Sequence, residues 1–414
     1  MYRVWYSVES FADYIIDHTN LSRKNPMKKY MFESDASKPK NFHSMPDHIR
    51  RILYLDAPDL IVEKNNEPIF SIEISTEAGT GHNAFQRFSR IAASVENGVP
   101  AFYIYPEGVI IKRKNTKAKW DIINPLIFKA LDDIMNIYGI PALLFYYPTD
   151  INEYCSNAEE SPNYNFKGIK NHQNIVKYSG SPFIDKQMKK MFSIINIVID
   201  SIENEGFIDG RDCLLKNKNF CEQREFMQRE FFLKSNGKDK FEMSPLSAVT
   251  ILPTKYLIDY LSKFEDKNYK LGELIGKRKE TVFYQVNAKF RGDPYPGALA
   301  AIDYLACRNG KTFEDREKNL VIVFGKISVN KKHSIIKIKN ENGSTIKDFF
   351  DTVKNTEKHN LLTKSYSDLR NYEIPRYFMQ VRYGSTYSKA KHIRVFSYFA
   401  DAILFPDGSL WRDG

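Results

Sequence analysis

Two carboxylates flank a short turn in the stretch APDLIVEKNNEPIFSIEIST, residues 57–76. Pro58-Asp59 opens one apolar run, KNNEP makes a turn, and Phe70, Ile72 and Ile74 then alternate with Ser71, Glu73 and Ser75. A strand sends successive side chains to opposite faces, so Glu73 and Ser75 share one face. If the two runs pair as a hairpin, Asp59 and Glu73 converge at its open end. With the main-chain carbonyl of Ile74 they make a set of hard oxygens of the kind Mg²⁺ takes. An ion held there can activate water and neutralise charge developing on a phosphate. The same pattern also fits an exposed hairpin with acids on its solvent face and Pro-Asp as a turn dipeptide. For the hairpin by itself the two readings are even.

Those residues need a frame, and the first ~150 residues alternate helical and extended patterns as an α/β domain does. Helical spacing covers 8–18 and 46–55, and strand-like runs cover 59–64 and 68–76. Residues 83–96 form an amphipathic helix with Ala84, Phe88, Ile91, Ala92 and Val95 on its apolar stripe. A buried strand over 99–106 follows, then a partner strand from Gly108, a helix over 125–138 and a strand over 141–148. Residues 150–182 are polar and rich in Asn, Ser, Gly and Tyr, with no clear period. Beyond them, 183–204 carries Met188, Met191, Phe192, Ile195, Val198, Ile199 and Ile202 on one helical stripe. Helices are expected over 219–233 and 254–264, the latter with Thr254 as N-cap. Strands near 281–287, 319–329, 334–339, 376–383 and 393–405 and a helix at 297–308 complete the chain. The expected class is α/β (α+β): a domain over 1–150, a linker or long loop over 151–182, and a helical and mixed region over 183–414.

Composition narrows the chemistry. Hydrophobic content of 42% and charged content of 27% are those of an ordinary globular chain. No stretch approaches the ~20 uninterrupted apolar residues of a membrane helix. The opening MYRVWYSVESFADYIID places acids and aromatics where a secretory signal has a basic cap and a plain apolar run. A cytoplasmic protein without a membrane partner is therefore expected. The four cysteines are scattered without a CxxC pair, so neither zinc nor a disulfide framework is expected. A net charge of +10 favours a polyanionic partner such as nucleic acid.

The order of elements around Pro58-Asp59 and Glu73-Ile74-Ser75 resembles the PD-(D/E)xK nuclease superfamily, type II restriction endonucleases in particular. The helix NAFQRFSRIAAS and the strand PAFYIYP follow the hairpin and complete a hairpin, helix, strand core across roughly residues 45–110. The resemblance implies a restriction-endonuclease-like mixed sheet flanked by helices. Asp59, Glu73 and the Ile74 carbonyl would hold Mg²⁺, or Mn²⁺ in its place, while a metal-activated water attacks phosphorus and the 3′ oxygen departs. It also implies cleavage of double-stranded DNA at specific sequences by a homodimer. Members often carry Gln or Arg on this helix pointing back at the site, which here are Gln86 and Arg90. The sequence departs from the pattern where Ser75 takes the family's lysine position. Glu77, on the same strand face, is then the candidate extra ligand or base, or a cation approaches from the helix.

Basic segments supply candidate DNA contacts. Arg87 and Arg90 lie on the helix, and Lys112, Arg113 and Lys114 sit in the acid-free run IIKRKNTKAKW. The segment 375–394 holds Arg376, Arg382, Lys389 and Lys391 among tyrosines, and Arg is the commonest reader of guanine. In 287–320, Lys289 and Arg291 precede a rigid turn and a helix whose N-terminus can meet phosphate. Three rival readings stand beside the restriction enzyme. They are a binding protein that kept the fold and lost the chemistry, a nuclease for RNA or for branched or modified DNA, and an active site built on Asp293 and Asp303. Early acids such as Glu9, Asp56 and Glu63 are alternative ligands, with Glu9 better read as a solvated helix residue.

Overall fold

The computed structural model describes residues 1–31, 45–53, 55–75, 84–106, 108–111, 119–147, 186–235, 247–264, 277–286, 294–330, 334–339, 398–404 and 410–412. The chain divides into two compact units, the first built from Met1–Glu33, Pro46–Leu53 and Ala57–Asp239 and the second from the remainder. Both are mixed α/β, as the sequence pattern requires. Among the described residues no helix is long and apolar enough to cross a membrane.

The first unit contains β1 (Tyr2–Tyr6), α1 (Glu9–Asp17), β2 (Met27–Tyr30), α2 (Asp47–Leu53), β3 (Leu60–Lys64) and β4 (Glu67–Ile74). It continues with α3 (Phe88–Glu96), β5 (Ala101–Pro106), β6 (Gly108–Ile111), β7 (Lys119–Ile122), α4 (Leu126–Tyr138) and β8 (Ala142–Tyr147). Helices α5 (Lys186–Glu205), α6 (Phe207–Asp212) and α7 (Lys218–Ser235) close the unit. Its six-stranded sheet runs β2-β1-β3-β4-β5-β8. β3 pairs antiparallel with β1 and β4, whereas β4, β5 and β8 are mutually parallel neighbours. The β3–β4 turn is made by Asn65 and Asn66, both at positive φ (52° and 65°), the conformation that fits a two-residue hairpin to the twist of its strands. Parallel pairing of β4 with β5 demands a crossover, and α3 supplies it.

The apolar stripe of α5 is buried along its length against β4 and β8. That burial extends the first unit to Asp239, well past the boundary at residue 150 expected from sequence. Phe70, Phe102 and Phe145 pack ring to ring across β4, β5 and β8 at 5.8 and 6.0 Å. Gln223 of α7 donates to the Leu144 carbonyl at 2.7 Å, tying that helix to the edge strand. β6 pairs with β7 in a ribbon of its own rather than with β5.

The second unit holds β9 (Ser247–Pro253), α8 (Thr254–Leu261), β10 (Glu280–Val286) and α9 (Pro294–Ile302). After them come β11 (Lys318–Phe324), β12 (Lys326–Val329), β13 (Ile335–Lys339), β14 (Ala402–Leu404) and β15 (Leu410–Arg412). Its main sheet runs β15-β14-β11-β10-β9 with β10, β11 and β14 parallel. Leu257, Tyr260 and Leu261 of α8 bury against Phe283, Val321 and Val323. Thr254 does not cap α8, for its hydroxyl lies 2.9 Å from that of Thr281, and Pro253 holds the cap position. The expected helix at 297–308 ends at Ile302 and gives way to one π-helical turn, Asp303–Cys307.

Candidate active site

The hairpin sets the two carboxylates side by side. Leu60 lies opposite Ile72 and Ile61 opposite Ser71. One further step of that register places Asp59 across from Glu73, and directly opposed residues share a sheet face. The face that alternation assigns to Ser71, Glu73 and Ser75 meets α3 rather than solvent. Ser71 Oγ donates to Ser94 Oγ at 2.8 Å, and Ser94 Oγ donates to the Arg90 carbonyl at 3.2 Å. The exposed-hairpin reading therefore fails, because Glu73 is only 1% exposed and Ser75 is buried beside it.

Asp59 is fixed by neutral donors. Ser7, at the end of β1, donates its hydroxyl to Asp59 Oδ1 at 3.1 Å and its main-chain N–H to the Asp59 carbonyl at 3.0 Å. The Ile74 N–H donates to Asp59 Oδ2 at 2.9 Å. Nothing in the sequence reading pointed to Ser7. The strand that delivers it, YRVWY, mixes aromatic and charged residues and gives no clean alternation.

Glu73 is held by cations on one oxygen only. Arg90 Nη1 donates to Oε1 at 2.6 Å, and Arg87 Nε lies 3.2 Å from the same atom. Oε2 is buried and has no hydrogen-bond partner among the described residues. Burial pushes the Glu73 carboxyl up to about 8; Arg90 pulls it down, and the charge of Asp59 raises it further. Tyr103, the β5 neighbour of Glu73, donates its hydroxyl to the Ala84 carbonyl at 3.3 Å and walls the site with a buried ring. Burial drives the Tyr103 phenol well above its ordinary range.

The helix differs from its expected form. α3 begins at Phe88 with Arg87 in the N-cap position, so Gln86 lies in the preceding turn instead of one helical turn before Arg90. Arg87 takes the place beside Arg90 that was expected of Gln86. Arg90, expected both to point back at the site and to contact DNA, is buried and paired with Glu73, because a helix packed on that strand face must bring a counterion to a buried carboxylate. Ser75 donates its N–H to the Ile104 carbonyl at 2.9 Å. Two of the alternative ligands are engaged elsewhere: Glu9 pairs with Lys28 at 2.7 Å, and Glu63 pairs with Arg3 at 2.6 Å and with His48. Asp303 sits in the second unit between Arg308 and Arg316 at 2.5 and 2.7 Å. Glu77, Lys112, Arg113, Lys114, Lys289, Arg291, Asp293, Arg376, Arg382, Lys389 and Lys391 lie outside the described residues.

An orphaned buried carboxylate oxygen next to a second carboxylate is the donor chemistry a hard cation takes. Among the described residues no group of three or more His, Cys, Asp or Glu side chains is arranged to hold a metal, so the side-chain ligands on view are these two. Comparison of the chain with protein-family models, curated proteins and solved structures finds no match.

Proposed function

We propose that this chain is a Mg²⁺-dependent, sequence-specific DNA endonuclease of the restriction-enzyme type, acting on double-stranded DNA as a homodimer, with Mn²⁺ able to replace Mg²⁺. The observation that carries the reading is the juxtaposition, at the carboxyl end of β4, of Asp59 with Glu73, whose Oε2 has no partner among the described residues. Asp59, Glu73 and the Ile74 carbonyl are the ligand set. The ion, when bound, activates water and offsets the charge that builds on the scissile phosphate. Ser7 and the Ile74 N–H hold Asp59 in one orientation, and Arg90 does the same for Glu73. Arg87, the more exposed of the two arginines, would be the one to meet a phosphate. The buried tyrosine wall keeps bulk water from the carboxylates, which strengthens every charge interaction there.

A second reading, a nucleic-acid-binding protein without catalysis, is favoured by Ser75 in the lysine position and by the arginines already seated on Glu73. Incubation with mixed plasmid and phage DNA decides between them. The endonuclease reading expects discrete fragments with Mg²⁺, none with EDTA, and at least a hundredfold loss of cleavage in Asp59→Asn, a drop typical of removing a group that acts on the developing charge. DNA retention without cleavage under either Mg²⁺ or Mn²⁺ selects the binding protein.

A further inference from the structure

Four strands form the edges of the two main sheets, and three of them are blunted. β2 carries Lys28 and Lys29 within its four residues. β8 is covered by α7, whose Gln223 donates to the Leu144 carbonyl and whose Met227 Sδ accepts from the Leu144 N–H at 3.3 Å. β15 spans three residues and ends on Arg412. The fourth, β9, is seven residues long and reads SAVTILP, with no charge and with Pro253 only at its last position. It pairs with β10, and among the described residues its outer main-chain groups meet no other strand. Ala248 is exposed, and Ile251 is 40% exposed. Natural sheets blunt a long apolar edge with charge, shortness or a cover, and among the described residues β9 shows none of the three.

We infer that a second copy of this chain pairs antiparallel with the β9 edge, so that two copies share one continuous sheet. This goes beyond the reading above, which names a homodimer and no surface. A strand laid antiparallel on itself closes under a twofold axis and uses up the open edge of both copies. Centred on Thr250, the pairing sets Thr250 against the partner's Thr250 and Val249 against the partner's Ile251, β-branched pairs of the kind that stabilise a ladder. No like charges oppose each other along it. The helix α8 favours the same partner. It returns over β9 and β10 from Thr254, with Leu257 and Leu261 buried in one cluster with Leu252 and Phe283. Strands rise about 3.3 Å per residue and helices about 1.5 Å, so α8 comes level with Thr250 near Leu261. The exposed Asp259 and Lys263 lie two residues to either side of Leu261. The twofold axis runs two copies of α8 antiparallel on one face of the shared sheet. It thereby sets Asp259 opposite the partner's Lys263 and Lys263 opposite the partner's Asp259. An unrelated extended peptide would match the ladder but not this charge pair.

Analytical ultracentrifugation of the full chain tests this, and the wild type is expected to sediment as a dimer at micromolar concentration. Ile251→Lys puts a cation into the ladder and is expected to weaken self-association at least about tenfold. Asp259→Lys sets like charges together across the axis and is expected to weaken it about fivefold. Adding Lys263→Asp to that variant should restore the wild-type value, which a merely structural role for either residue would not do. Thr250→Cys, mildly oxidised, should yield a covalent dimer that the wild type, with its own four cysteines, does not form. Circular dichroism of each variant confirms that it is folded. A wild type that stays monomeric overturns the inference and the homodimer with it. A dimer that is unchanged in Ile251→Lys and does not link through Thr250→Cys overturns the inference alone. Neither result touches the cleavage assay, so the hydrolase reading stands or falls separately.

Discussion

Each unit of this chain buries a cluster of charge, and the two clusters arrange cations around their anions differently. In the second unit Asp303, fully buried, has one oxygen 2.5 Å from Arg308 Nε and the other 2.7 Å from Arg316 Nε. Arg316 reaches on to Asp401 at 3.1 Å, and Asp401 also meets Arg278 at 3.2 Å and the Leu320 N–H at 2.8 Å. Asn319 links the edge of this network to Thr254 and Thr281. In the first unit Glu73 has two cations on one oxygen and, among the described residues, no partner on the other. Place agrees with wiring. Arg278 lies two residues before β10 and Asp401 one before β14, at the amino ends of parallel strands, while Glu73 stands at the carboxyl end of β4. Ligands of open parallel sheets bind outside the carboxyl ends. Asp303 has a cation at each oxygen, whereas both cations of Glu73 crowd one oxygen, and a buried anion paired on one side only is a candidate for chemistry.

The comparison can be broken most forcefully in the second unit. Arg316→Met removes the cation shared by two buried aspartates and is expected to cost about 3–5 kcal/mol, the usual penalty for stranding a buried charge. Urea unfolding measures it. A loss below about 1 kcal/mol would mean that this cluster does not hold its unit. In the first unit the signature is a pH dependence. The folded Glu73 carboxyl, at about 8, lies above its ordinary value of 4.5, so the folded state binds the proton more tightly than the unfolded chain. Its stabilising contribution is full below about 4.5 and is lost as pH rises through about 8. The decline approaches about 1.4 kcal/mol per pH unit between those limits. Glu73→Gln should flatten it, and urea midpoints taken across that window read the difference. The smallest effect sharpens the contrast within the site. Ser7→Ala deletes one neutral hydrogen bond to Asp59 and is expected to cost about 1 kcal/mol in the same unfolding assay.

Period and punctuation made the hairpin readable. Alternation of Phe70, Ile72 and Ile74 with Ser71, Glu73 and Ser75 sorted the two faces of β4, and KNNEP marked its turn, because strand geometry permits no other assignment of faces. The stripes of 83–96 and 183–204 were readable for the corresponding reason in helices: Phe88, Ile91, Val95, Ile195 and Ile199 are all buried. The helical stripe alone did not give the direction of Arg90, since an arginine on an amphipathic helix is ordinarily a solvated residue; only the resemblance pointed it back at the site, where it meets Glu73. Ser7 stayed hidden because its partner lies far along the chain, beyond the reach of any local period. The extent of the first unit stayed hidden for a related reason, since a stripe shows that α5 must be covered but not by which sheet.

The route of the chain through the site has an evolutionary consequence. Asp59, Glu73, Arg87, Arg90 and Tyr103 all come from one uninterrupted stretch that makes two strands, a crossover helix and a third strand. Such a block can be inherited, duplicated or recombined as a single piece, carrying its carboxylates and their counterions together. Ser7 is the exception, delivered by β1 from outside the block. A transplanted copy would keep its charges and lose the hydroxyl that steadies Asp59, so the host sheet would have to supply a donor at its neighbouring strand.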